Sequence, residues 1–150
     1  MTEKVNHPIH YNHHPSGVEA IDIIEHMNFC LGNAFKYIFR FNLKGGLEDI
    51  DKAIWYLERQ TKNPNTLHFE MPDAVYLKIQ EFLSKEDDAM LKVVYENIIQ
   101  YQFYGEHPKV LWESIEILHR IEQRYKWNFL FFALVWLYLL HVQKIIRFVI

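Results

Sequence analysis

Residues 129–142 read FLFFALVWLYLLHV, an unbroken run without Asp, Glu, Lys or Arg. A helix apolar on every side is stable in two places, a protein core or a membrane. The run is shorter than the ~18 residues that usually signal a span. Lys126, Lys144 and Arg147 bound it, and His141 lies inside it. Its length therefore predicts that residues 125–150 form a core or subunit-interface helix and do not cross a membrane. An interface would make the protein a homo-oligomer, because apolar area beyond what one core can cover is usually buried by a second copy.

The rest of the chain repeats a helical period and shows no sustained strand-like alternation. Val18, Ile21, Ile24 and Met27 form a stripe at helical spacing, and after Asn28 the pattern resumes over 31–41. Lys44-Gly45-Gly46 is a turn, because paired glycines supply backbone angles that other residues resist. Residues 47–60 follow as a strong helix, with Leu47, Ile50, Ala53, Ile54 and Leu57 on one face. Asn63-Pro64-Asn65 ends it and leads into a loop reaching Pro72. Helices are expected over 73–83, over 85–104, and from Val110 toward the C-terminus, with a break at Gly105 to Pro108. The expectation is an all-α protein of five or six helices, a compact helical domain with an extended N-terminal arm over residues 1–16. Residues 1–62 hold the motifs, and 63–150 form a helical region packing on them, the two making up either two units or one domain.

A chain of 150 residues can bury a core without staples, and half of these residues are hydrophobic. The net charge of −3 argues against nucleic acid as a partner, since such domains are basic. One cysteine, Cys30, excludes a disulfide framework and a cysteine zinc site, and its neighbours Phe29 and Leu31 predict a buried, inert thiol. The first residues lack the apolar stretch of a secretory signal, so a cytoplasmic protein is expected.

The chemistry concentrates on the helix over 31–41. Leu31, Ala34, Phe35 and Ile38 share one face, and Asn33, Lys36, Tyr37 and Arg40 share the other. Lys44 follows just beyond. Cations around an amide and a ring suit a phosphate and a base: arginine offers a planar fork, lysine a mobile point charge. The same residues also read as a solvated face with cations at a favourable helix C-terminus. Lys52, Trp55 and Tyr56 neighbour one another on the next helix, where an aromatic ring could stack on a base or Trp55 could pack against the C-terminal half. Glu48, Asp49 and Asp51 in its first turn suit the positive helix end, or Asp49 or Asp51 supports Mg²⁺. Gly45-Gly46 is not a Walker A loop, which needs Gly-Lys-Ser/Thr. The arm carries His7, His10, His13 and His14 without the spacing of a zinc motif. His10 and Tyr11 instead fold over a ligand, or His10 pairs with Glu19 or Asp22.

Three blocks occur in order: VNHPIHY at 5–11, Gly32-Asn33-x-x-Lys36-Tyr37-x-x-Arg40, and Lys44-Gly45-Gly46 before Asp49-x-x-Lys52-Ala53. Over about residues 5–60 they resemble a family of small phage proteins that includes the nucleotide kinase of bacteriophage T7. The resemblance implies a mostly helical phage protein that binds nucleotides, and in that relative it implies phosphoryl transfer to deoxynucleoside monophosphates. It favours the ligand reading of His10, Tyr11, Asn33, Lys36, Tyr37, Arg40, Lys44, Lys52 and Tyr56. Three functions follow as expectations. One is a nucleoside monophosphate kinase without a P-loop, using ATP or another nucleotide with Mg²⁺. A second is a non-catalytic protein that sequesters a signalling nucleotide of host defence. The third is a helical interaction protein that ignores nucleotides.

Overall fold

The computed structural model describes residues 14–64 and 70–149, without the side chains of 142–149. Six helices occur among the described residues: α1 Ala20–Ile24, α2 Phe29–Arg40, α3 Leu47–Lys62, α4 Asp73–Ser84, α5 Ala89–Tyr104 and α6 Lys109–Val149. No strand interrupts them there, so the all-α expectation holds.

Local chemistry sets the boundaries. The Asp22 carboxylate accepts the Glu19 amide at 3.1 Å, closing the start of α1. Asn28, where the apolar stripe breaks, is the N-cap of α2: its Oδ1 accepts the Leu31 amide at 2.9 Å. Gly46, at φ 54°, reverses the chain into α3, a backbone angle that side chains resist. The helix expected over 85–104 starts only at Ala89, because Asp88 caps it, accepting the amides of Met90 at 2.9 Å and Leu91 at 3.2 Å. Gly105, at φ 69° in the left-handed region, ends α5.

One buried cluster joins these elements. It takes Leu31, Phe35 and Ile38 from α2 and Ile50, Ile54 and Leu57 from α3. Val75, Ile79 and Phe82 enter from α4, Val94, Tyr95 and Ile98 from α5, and Leu111, Leu118 and Ile121 from α6. The Tyr95 ring sits 4.7 Å from Phe35 and 4.8 Å from Phe82 between centroids, and burial pushes its hydroxyl pKa well up. His14 closes one edge, its ring 4.2 Å from that of Phe82 and its Nδ1 2.8 Å from the Ser16 hydroxyl.

The apolar run, expected as a core or subunit-interface helix, does not enter this cluster. The first part of α6 does, through Leu111, Ser114, Ile115, Leu118 and Ile121, which recur at helical spacing. That upstream stripe closes the body before the apolar run begins. Tyr125 still touches the body, donating to Asn42 Oδ1 at 3.0 Å and meeting the Phe41 ring edge-on. From Trp127 to Leu140 the large apolar side chains are exposed, among them Phe129 at 80% and Trp136 at 67%. No helix among the described residues is long and apolar enough to cross a membrane.

Candidate functional site

Gly32 lets α2 lie close against α1: a Cβ there would stand 3.2 Å from the Ile24 carbonyl oxygen. The glycine of the Gly-Asn block is thus a packing requirement. Its close approach leaves a groove of about 310 Å³ beside the first turns of α2. Ile21, Ile24, Met27 and Phe29 wall the groove, with Asn28, Asn33 and Lys36 among its polar atoms. Asn28 Nδ2 is buried there with no hydrogen-bond partner among the described residues. A buried donor left unpaired is costly, and a ligand acceptor would satisfy it.

The exposed side of α2 meets α3 through rings. Tyr37 and Tyr56 stack at 5.8 Å with 17° between planes. Phe29 meets Tyr56 edge-on at 5.9 Å, linking this ring pair to the groove. Three cations surround Tyr37: Lys36 Nζ and the Arg40 guanidinium each lie 4.7 Å from its centroid, and Lys52 Nζ lies 5.6 Å away. Six of the residues singled out in the sequence, Asn33, Lys36, Tyr37, Arg40, Lys52 and Tyr56, therefore converge on one face.

The cations differ in what holds them. Arg40 donates through Nε to Asp49 Oδ2 at 3.0 Å and through a terminal nitrogen to Oδ1 at 2.9 Å. Asp49 is fully buried and also accepts the Gly45 amide at 3.1 Å. A Cβ on Gly45 would fall 2.2 Å from the Asp49 carboxyl carbon, so only glycine fits. Arg40, Gly45 and Asp49 thus form a lock that fixes the turn between α2 and α3. Lys52 bonds Glu48 at 2.5 Å, a contact that chiefly raises its pKa. Lys36 donates to the neutral Asn33 amide oxygen at 2.6 Å and has no carboxylate within ion-pair distance among the described residues. Burial, and then the Arg40 charge, push the Lys36 pKa down, with Asp49 opposing. Lys36 is thus a partly desolvated ammonium that makes no ion pair among the described residues.

The remaining expected residues fall elsewhere. Lys44 is exposed in the turn after α2. Asp49 and Asp51 do not converge: the oxygens of Asp49 serve the lock, and Asp51 is exposed on the side where its charge reaches Lys126. Among the described residues no group of three His, Cys, Asp or Glu side chains is placed to hold a metal. Asp22, offered as a partner for His10, bonds Lys78 at 2.6 Å. His10 and Tyr11 lie outside the described residues. Trp55 does not pack against the C-terminal half; it is exposed, edge-on to Tyr56 at 4.9 Å, with Arg59 over its ring at 5.5 Å. Cys30 is half-buried rather than buried, and burial raises its pKa, against a smaller effect of Arg59. Asn28 and Phe29 are site residues that the sequence reading missed; the break in the apolar stripe at Asn28 was their signal.

A family model described as a protein of unknown function, DUF3310, matches residues 5–58. The match covers α1, α2 and most of α3, the elements that build the groove and the cation–ring face. No curated protein and no solved structure matches the chain.

Proposed function

We propose that this chain binds a nucleotide, with the phosphates against Lys36 and Lys52 and the base against the rings and apolar walls between α1, α2 and α3. The observation that carries the reading is Lys36, a half-buried ammonium at the mouth of a groove whose one hydrogen bond among the described residues is to a neutral amide. An incoming phosphate would give Lys36 an ion pair that no carboxylate among the described residues makes with it. Tyr37 and Tyr56 offer stacking surface that tolerates any base. The sequence resemblance to a family of small phage proteins that includes a nucleotide kinase supports the same ligand class, and the proposed location is the host cytoplasm, where such ligands occur.

Binding fits the geometry better than turnover. Phosphoryl transfer without a P-loop needs acidic side chains to seat Mg²⁺ beside the phosphates. On this face Asp49 is spent on Arg40 and Gly45, and Asp51 points elsewhere. The cations hold charge, so the protein retains its ligand and returns it unchanged, as a sequestering module does. The experiment is a mass-spectrometric survey of nucleotides that co-purify with the full chain, repeated after incubation with ATP and Mg²⁺. Binding predicts a co-purifying nucleotide whose phosphate count does not change. A phosphorylated product would make the protein a kinase, and a chain free of nucleotide in both arms would refute the reading.

A further inference from the structure

Within α6 the composition changes abruptly. Up to Lys126 every turn carries a charged side chain, whereas residues 127–143 contain no Asp, Glu, Lys or Arg. The change coincides with the point where the helix leaves the body. Successive residues of a helix are rotated by about 100°. Phe129, Phe131, Phe132, Leu134 and Leu137 therefore point to all sides, and they are 80%, 62%, 68%, 57% and 61% exposed.

The all-round exposure discriminates between occupants. A partner helix or a groove covers one stripe of a helix and leaves the opposite side in water. A second copy fares no better. In a closed symmetric assembly every copy sits at the same distance from the axis, so each tail keeps an outward side. A surrounding apolar medium covers all sides of every copy at once. The border of the segment fits such a medium: Tyr125, Lys126 and Trp127 are adjacent, and aromatic and cationic residues favour the membrane–water interface. Asn42, hydrogen-bonded to Tyr125, is followed by the exposed Leu43 and Lys44, which places the turn after α2 at the same border.

We propose that α6 from Trp127 onward inserts into the hydrocarbon of a lipid bilayer and holds the helical body at the membrane surface. From Phe129 to His141 the helix rises about 20 Å, deeper than one leaflet and short of the ~30 Å core. The sequence continues with Val142, Ile145, Ile146, Phe148, Val149 and Ile150, interrupted by Gln143, Lys144 and Arg147. This attachment is independent of the nucleotide face and stands or falls separately from it.

The test is cell-free synthesis of the full chain with vesicles of phosphatidylcholine and a minority of phosphatidylglycerol, followed by flotation in high salt. The wild-type chain floats with the vesicles, and salt does not release it, because acyl-chain burial holds it. A Phe131→Glu/Leu134→Glu/Trp136→Glu variant stays at the bottom, soluble and with the helical circular dichroism of its intact body. In a Trp55→Phe/Trp112→Phe/Trp127→Phe chain, Trp136 fluorescence is quenched by lipids brominated in the acyl chain. A wild-type chain that fails to float, as a soluble oligomer or as a pellet, overturns the proposal. So does flotation of the triple-Glu variant to the same extent as wild type.

Discussion

Replacing Asp49 by alanine removes three hydrogen bonds at once: two from Arg40, at 3.0 and 2.9 Å, and one from the Gly45 amide at 3.1 Å. Asp49 is fully buried, while the Arg40 side chain keeps 13% of its exposure. Removing one partner of a buried ion pair costs about 3–5 kcal/mol, because the other charge is stranded. Arg40 can recover part of its hydration, which puts the expected loss near ~3 kcal/mol. Urea unfolding of the full chain in a mild detergent, followed by helical circular dichroism, should show a midpoint about 1–3 M lower, given typical urea slopes. Gly45→Ala should destabilise by about 1–3 kcal/mol through overpacking, since its Cβ would collide with the Asp49 carboxyl. The decisive quantity is the coupling. In the Asp49→Ala background the obstructing carboxyl is gone, so Gly45→Ala should cost well under its wild-type amount. An Asp49→Ala midpoint equal to wild type, or a Gly45→Ala cost unchanged in that background, would refute the lock.

Lys36→Ala should weaken nucleotide binding about 10- to 100-fold, the equivalent of one charge-assisted hydrogen bond, while leaving the urea midpoint nearly unchanged. Because burial holds the Lys36 pKa below the ordinary lysine value, binding that needs the ammonium should weaken with rising pH sooner than an unperturbed lysine would allow; calorimetry in buffers of different ionisation enthalpy should detect proton uptake there. Asp88 is desolvated, which raises its pKa, yet its bonds from Arg124 and from the Leu91 and Met90 amides bring it below 3.8. Its folded-state pKa is thus depressed, so its stabilisation is present above the unfolded value and is lost as pH falls through the folded one; Asp88→Ala should cost about 1 kcal/mol near neutral pH and less in acid, by urea midpoints at each pH.

The face of α2 was legible in the sequence because it needs nothing beyond helical spacing: Asn33, Lys36, Tyr37 and Arg40 share a side whichever way the helix packs. Lys52 and Tyr56 joined it because a short turn brings α3 back alongside. The lock was not legible. Asp49 sits in a first helical turn where any acid is favourable, and only the path of the turn carries its carboxyl to Arg40 and to a glycine without room for a Cβ. The helix expected from 85 begins only at Ala89, because residues 85–88 are all charged and Asp88 prefers the capping position to a place inside the helix. The exposure of the apolar tail depended on a property of the whole molecule. Periodicity shows that a segment must be buried, but not that Leu111, Leu118 and Ile121 have already closed the core.

The central claim is a nucleotide site at Lys36, and isothermal titration tests it most directly. Nucleoside mono-, di- and triphosphates would each be titrated into the full chain in detergent, and then into its Lys36→Ala and Asp51→Ala variants. The account predicts saturable binding of at least one nucleotide, weakened about 10- to 100-fold by Lys36→Ala and unaffected by Asp51→Ala. No binding of any nucleotide, or binding that Lys36→Ala leaves untouched, would contradict it.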